Sequence, residues 1–168
     1  MVNKYAIFVV GEGRTGKSSL IRSLTGCGRN MVYNLKKIDG TVLKAFVSLN
    51  SPQEMGMDNY PPETFPKTIE DKHNVKREDY DVLISALRLT VRNPSVYGYQ
   101  MYIESVVKQG FDVRLAVIAK SWNGIKTDSK DISAIKLFAK SKKIKIILMD
   151  ASNDPNEESS KIRRRLYP

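Results

Sequence analysis

Gly11-Glu12-Gly13-Arg14-Thr15-Gly16-Lys17-Ser18 is the stretch on which the reading of this chain turns. It fits the pattern G-x-x-x-x-G-K-[ST], in the setting that the pattern needs: an apolar run, Tyr5–Val10, before it and a helical period after it. Glycines let the backbone curl until successive N–H groups point into one hollow at the positive end of the following helix, where they can bond phosphate oxygens. A plain strand-to-helix turn needs neither a lysine nor a hydroxyl at this spacing. In such a cradle Lys17 reaches the β- and γ-phosphates as a point charge, and the Ser18 hydroxyl is placed to ligate magnesium. The residues expected to contact the ligand here are Gly11, Gly13, Arg14, Thr15, Gly16, Lys17, Ser18 and Ser19.

Working outward, Leu20, Ile21 and Leu24 form one helical face that Gly26 ends. Met31–Ile38 and Thr41–Leu49 read as two strands around Asp39-Gly40, a dipeptide suited to a type I′ hairpin turn. Asn50 to about Arg77 carries four prolines, Met55, Met57 and many charges without a sustained period; it reads as a long loop, functional or concealing a short helix. Asp81–Leu87 and Val113–Ala119 are buried-type strands, with a helix between them opened by Asn93-Pro94-Ser95, faced by Val96, Tyr99, Ile103 and Val106, and stopped by Gly110. Asp128 caps a helix bearing Ile132, Ile135 and Phe138. Ile144–Met149 is the last strand, and Asp154-Pro155 opens the last helix. Strands alternating with helices imply right-handed crossovers and a mostly parallel sheet of six strands, covered on both sides, with one antiparallel hairpin strand at an edge.

The 168 residues match one ordinary domain, and 41% of them are hydrophobic, enough for a core, so residues 1–168 read as a single domain. Lysine and arginine total 28 against 18 acids, a formal charge of +10, which favours anionic partners. One cysteine, Cys27, excludes an intrachain disulfide, and no apolar run approaches the roughly 20 residues of a membrane span. Gly11 and Glu12 interrupt the first apolar run, unlike a signal peptide, so a cytoplasmic location is expected. Lys161, Arg163, Arg164 and Arg165, with Lys140, Lys142, Lys143 and Lys145, offer a nucleic acid or an acidic protein a basic surface, or simply place cations at helix C-termini.

Val10 to Leu20 resembles the P-loop NTPases, and more narrowly the first motif of the Ras-like GTPase branch, whose topology also has a hairpin after the first helix. The resemblance implies a three-layer α/β fold that binds a nucleoside triphosphate, ATP or GTP, with Mg2+. The later motifs of that branch are missing. No threonine stands in Gly26–Asn30 to close on the metal; Leu49-Asn50-Ser51-Pro52 replaces Asp-x-x-Gly; and Ala119-Lys120-Ser121-Trp122 replaces the guanine-reading Asn-Lys-x-Asp. Gln53 stands where that family's water-orienting glutamine falls and is its expected catalytic partner for Lys17; Lys120 and Trp122 are expected at the base, the indole stacking on it or anchoring the loop. The metal-side acid is not identified: Asp150 ends an apolar strand normally remote from the γ-phosphate, Asp81 stands at the wrong end of its strand, and Asp58 lies in the long loop. His73, among Lys72, Lys76 and Arg77, reads as a solvated residue. Slow hydrolysis is the leading expectation. The alternatives are a nucleotide-binding module with a basic docking face, and a small phosphotransferase in which Arg88 or Arg92 neutralises the moving phosphoryl.

Overall fold

A computed structural model describes residues 4–54, 60–91 and 97–168. Its six-stranded sheet comprises β1 (Tyr5–Gly11), β2 (Met31–Lys36), β3 (Val42–Ser48), β4 (Val82–Arg88), β5 (Asp112–Lys120) and β6 (Lys145–Asp150), in the order β2-β3-β4-β1-β5-β6. All neighbours are parallel except β2 and β3, so the hairpin's β2 is the antiparallel edge. The helices are α1 (Lys17–Thr25), α2 (Lys67–Lys72), α3 (Tyr99–Lys108), α4 (Ser129–Ser141) and α5 (Pro155–Arg165). This is the mostly parallel α/β fold with one antiparallel hairpin strand that the sequence predicts.

Continuous apolar runs become the central strands because both sheet faces are covered. On one face Phe8, Leu83, Leu87 and Leu115 pack with Tyr102, Ile103 and Val106 of α3 and Ile135 and Ala139 of α4. On the other, Ile7, Val9, Ile84 and Ala116 pack with Leu20, Ile21 and Leu24 of α1 and Ile162 of α5. The alternation Ala6, Ile7, Phe8, Val9 thus divides one strand between two cores.

Two local expectations are resolved. The hairpin reverses at Asp39-Gly40, but Gly40 N–H bonds the Lys37 carbonyl at 3.0 Å, and only Gly40, at φ 85°, is left-handed. A type I′ turn needs positive φ at both central residues, so this is the longer turn closed by a left-handed glycine. The Asn50–Arg77 stretch contains 3-10 turns at Pro62–Thr64 and Arg77–Asp79 and the short helix α2, tied down by the buried side chains of Phe65, Ile69 and Tyr80. Its Met55, Met57 and Asp58, like the helix opening at Asn93-Pro94-Ser95, Val96 and Arg92, lie outside the described residues.

Sheet order positions the site. The strand against β1 on the hairpin side is β4 rather than β3, and the register sets Arg88 beside Gly11. The carboxyl end of β4 therefore opens directly onto the phosphate loop.

Candidate functional site

The loop from Gly11 to Ser18 joins the end of β1 to the start of α1. Gly16, at φ 107°, precedes Lys17 in a left-handed conformation that side chains rarely adopt. At Gly11 a Cβ would lie 2.7 Å from Thr15 Oγ1, so a close approach within the loop itself requires the missing side chain. Thr15 Oγ1 donates to the Glu12 carbonyl at 2.8 Å, and Thr90 Oγ1 donates to Glu12 Oε2 at 2.5 Å, which ties the loop to the chain leaving β4.

Lys17 is 5% exposed. Its Nζ donates to the carbonyls of Gly11 at 3.2 Å and Glu12 at 2.6 Å and stands 3.8 Å from Glu54 Oε1. Burial holds this ammonium below the ordinary lysine range; Glu54 pulls it up, Arg88 pushes it further down, and Glu12 pulls it up. Ser18 Oγ donates to the Leu49 carbonyl at 3.1 Å and keeps its own oxygen lone pairs for a ligand.

These groups line a cavity of about 960 Å³, which takes in the loop from Glu12 to Ser19, then Glu54, Arg88 and Thr90 on the β4 side, and Trp122 with Lys126–Asp128 and Asp131 on the β5–α4 side. The predicted residues from Gly13 to Ser19 all line it, with Gly11 at its root. Trp122 lines it as well: its backbone N–H bonds the Thr15 carbonyl at 3.3 Å and its indole Nε1 donates to the Arg14 carbonyl at 3.0 Å, while the ring is 64% exposed. The indole is thus both a loop anchor and an accessible stacking face.

Two expected site residues are placed otherwise. Lys120 lines an adjoining cavity of about 550 Å³ between α4 and β6, which shares Lys126 and Thr127 with the first. Gln53 is buried, and both functions of its amide are committed: Nε2 donates to the Arg88 carbonyl at 3.1 Å and Oε1 accepts from the Arg88 N–H at 2.8 Å. An amide so engaged clamps the end of β4. Asp150 accepts from the Ser152 N–H at 2.9 Å and from that residue's hydroxyl, and Asp81 accepts from the Lys44 N–H at 3.1 Å at the opposite end of the sheet. His73 is half-buried against Phe46 rather than solvated, and burial first, then Lys72, holds its imidazole below the usual range.

The sequence missed Glu54 and the wall from Lys126 to Asp131. Glu54 follows Gln53 directly, and its signal was only adjacency; its approach to Lys17 depends on how residues 49–54 fold back over α1. The C-terminal end of α5 reaches the sheet end where the strands begin, shown by Arg114 Nη1 donating to the Leu166 carbonyl at 2.6 Å just beyond it. That end is opposite the cavity. The helices α4 and α5 cover different faces of the sheet and meet at its β6 edge, where Lys136 and Lys161 line one cavity.

No protein-family model matches the chain. No curated protein matches it. Among solved structures it is similar to the G-domain of FeoB from Methanococcus jannaschii, at 15% identity and a TM-score of 0.48, over 95% of this chain and 94% of that one. A likeness of that grade carries no argument about activity; the fold class stands on the sheet, the crossovers and the loop. No helix among the described residues is long and apolar enough to cross a membrane.

Proposed function

We propose that this chain binds a nucleoside triphosphate with magnesium through Gly11–Ser19 and hydrolyses it slowly. The observation that carries the reading is Lys17: a buried ammonium, held below its ordinary range and turned into a glycine-built hollow at the N-terminus of α1. Burying such a charge costs stability that a phosphate ligand restores.

The donors present fit magnesium. Ser18 and Glu54 offer oxygen ligands at the cavity, and among the described residues no cluster of three His, Cys, Asp or Glu side chains holds a metal alone, so nucleotide phosphates would complete the coordination. Magnesium bound there would neutralise charge on the phosphate oxygens. The loop N–H groups orient the phosphate chain, Lys17 draws charge from its terminal oxygens, and Trp122 offers its face to the base. Slow turnover follows from the commitment of Gln53 to Arg88 and from the missing threonine and Asp-x-x-Gly.

The first motif and the hairpin support a likeness to the Ras-like branch. The absence of the Asn-Lys-x-Asp carboxylate leaves ATP and GTP both as ligands. A second reading, phosphoryl transfer to another acceptor, is favoured by the reach of the cavity past the loop to Asp128 and Asp131. Trp122 is the single tryptophan, so its fluorescence reports on this cavity alone. Titration with MgATP or MgGTP should change that emission saturably, and Lys17→Ala should weaken binding at least about tenfold, or 1.4 kcal/mol. An unchanged titration in Lys17→Ala would remove the reading.

A further inference from the structure

Arg88 ends β4 in register with Gly11. Its backbone N–H and carbonyl are both held by the Gln53 amide, so the residue is fixed in place by a contact that leaves its side chain free. That side chain enters the cavity: Nη2 lies 3.2 Å from the position a Cβ would take at Gly13, in the middle of the phosphate loop. Among the described residues its buried Nε has no hydrogen-bond partner and the guanidinium forms no ion pair. A buried donor left unmade is costly, and a guanidinium has five donors in a fork suited to phosphate. Arg88 also stands near enough to Lys17 to depress its ammonium, so two cations share one end of the cavity with a single close carboxylate, Glu54, 3.8 Å from Lys17 Nζ. That arrangement is unfavourable when empty and suits a ligand group with more than one negative charge.

We infer that Arg88 is the receptor for the terminal phosphate, with Gln53 as its positioning residue, so that this chain supplies from within itself the arginine charge for phosphoryl transfer and tells a triphosphate from a diphosphate. The inference rests on the nucleotide reading above. Lys17 serves both phosphates from the α1 side of the loop, whereas Arg88 approaches across Gly13 from β4, where Glu54 also stands. In the reaction a water oxygen bonds to the γ-phosphorus as the bond from that phosphorus to the β,γ-bridging oxygen breaks. The bridging oxygen leaves with the electron pair on the diphosphate, and the water's protons pass to the released phosphate and solvent. Arg88 stabilises the non-bridging oxygens throughout, and nothing is oxidised or reduced.

Calorimetric titration with MgADP and with the non-hydrolysable magnesium β,γ-imido triphosphate tests this in wild type, Lys17→Ala, Arg88→Ala, Arg88→Lys and Gln53→Ala. Wild type should prefer the triphosphate. Arg88→Ala should lose about tenfold or more for the triphosphate, the worth of a charge-assisted contact, and change less than about twofold for the diphosphate. Arg88→Lys should recover part of that preference, and Gln53→Ala should erode the tri-to-diphosphate ratio while both ligands still bind, which mere loss of packing would not do selectively. Lys17→Ala should weaken both. A ratio unchanged in Arg88→Ala, or equal losses for the two nucleotides, overturns the role of Arg88 while leaving nucleotide binding intact; wild type binding neither nucleotide removes the reading beneath it. If thermal unfolding shows Arg88→Ala misfolded, Arg88→Gln, which keeps the length and loses the charge, carries the comparison, and an unchanged ratio there overturns the inference equally.

Discussion

Lys17 shows at the scale of one residue how a site is stored in a fold at the expense of stability. Its Nζ bonds two carbonyls, yet neither depends on it: Gly11 O also accepts from the Leu89 N–H at 3.0 Å and Glu12 O from Thr15 Oγ1 at 2.8 Å. Removing the charge therefore leaves no carbonyl orphaned, while the burial that holds the ammonium below its usual range disappears. Lys17→Met should raise the Tm of the nucleotide-free protein by about 2 °C or more, the shift that roughly 1 kcal/mol produces in a domain of this size, while nucleotide binding is lost. The pH dependence has a definite sign. A depressed lysine binds fewer protons folded than unfolded, so wild-type stability should rise with pH between the folded value and 10.5, and that rise should be missing in Lys17→Met. Differential scanning calorimetry across alkaline pH measures both; a lower Tm for Lys17→Met would mean that its hydrogen bonds outweigh its desolvation.

Among the elements, the turn between β6 and α5 is braced by the buried carboxylate of Glu158. Glu158 is 1% exposed and accepts from the Asp150 N–H at 3.0 Å, the Asn153 amide at 3.2 Å and Lys161 Nζ at 2.7 Å. Burial alone would raise its carboxyl, but Lys161, the Asp150 N–H and Asn153 together hold it below the usual glutamate range. This turn carries Ala151, whose Cβ lies 3.3 Å from the position of a Cβ at Gly16, so it backs the phosphate loop. Glu158→Ala should destabilise the fold by about 2–3 kcal/mol in chemical denaturation near neutral pH, the worth of charged hydrogen bonds in a buried place. The group contributes above the ordinary glutamate value of 4.5, and its contribution falls away as pH drops through the lowered folded value. The difference between the two proteins should therefore narrow in acid; a constant difference would assign the loss to packing.

Over the whole molecule, the two aspartates that flank the turn after β6 are engaged locally. Asp150 serves Ser152, and Asp154 accepts from the Asn156 N–H at 2.8 Å as the cap of α5. Stacking on Trp122 accepts any base, so ATP and GTP should compete within about tenfold of each other, since no paired hydrogen bonds reject adenine. A thousandfold preference for GTP would mean that Asp128 or Asp131, both in the cavity, reads the guanine edge. Turnover of the isolated chain, followed by phosphate release, should stay well under the enzyme median of about 10 per second. Faster release would show that Glu54 and Arg88 complete the site without help.

The loop, its lysine and hydroxyl, the strands before and after it, the hairpin and the caps at Asp128 and Asp154 were determined by the sequence itself, because each depends on residues within a few positions of one another. The hairpin turn type was not, since Asp39-Gly40 suits more than one turn and the flanking strands chose between them. The helix α2 was concealed for a related reason: six residues leave little period to read, and it is Phe65 and Ile69 in the core that hold it. Only the tertiary structure decided that β4 lies between β3 and β1. That single choice brings Arg88 to the phosphate loop, turns Gln53 from a water-orienting candidate into a clamp and carries Glu54 to Lys17. Strand order is set by which apolar runs pair across long stretches of chain, and runs as alike as Ala45–Ser48, Val82–Ala86 and Val113–Ile118 carry no local mark of their neighbour.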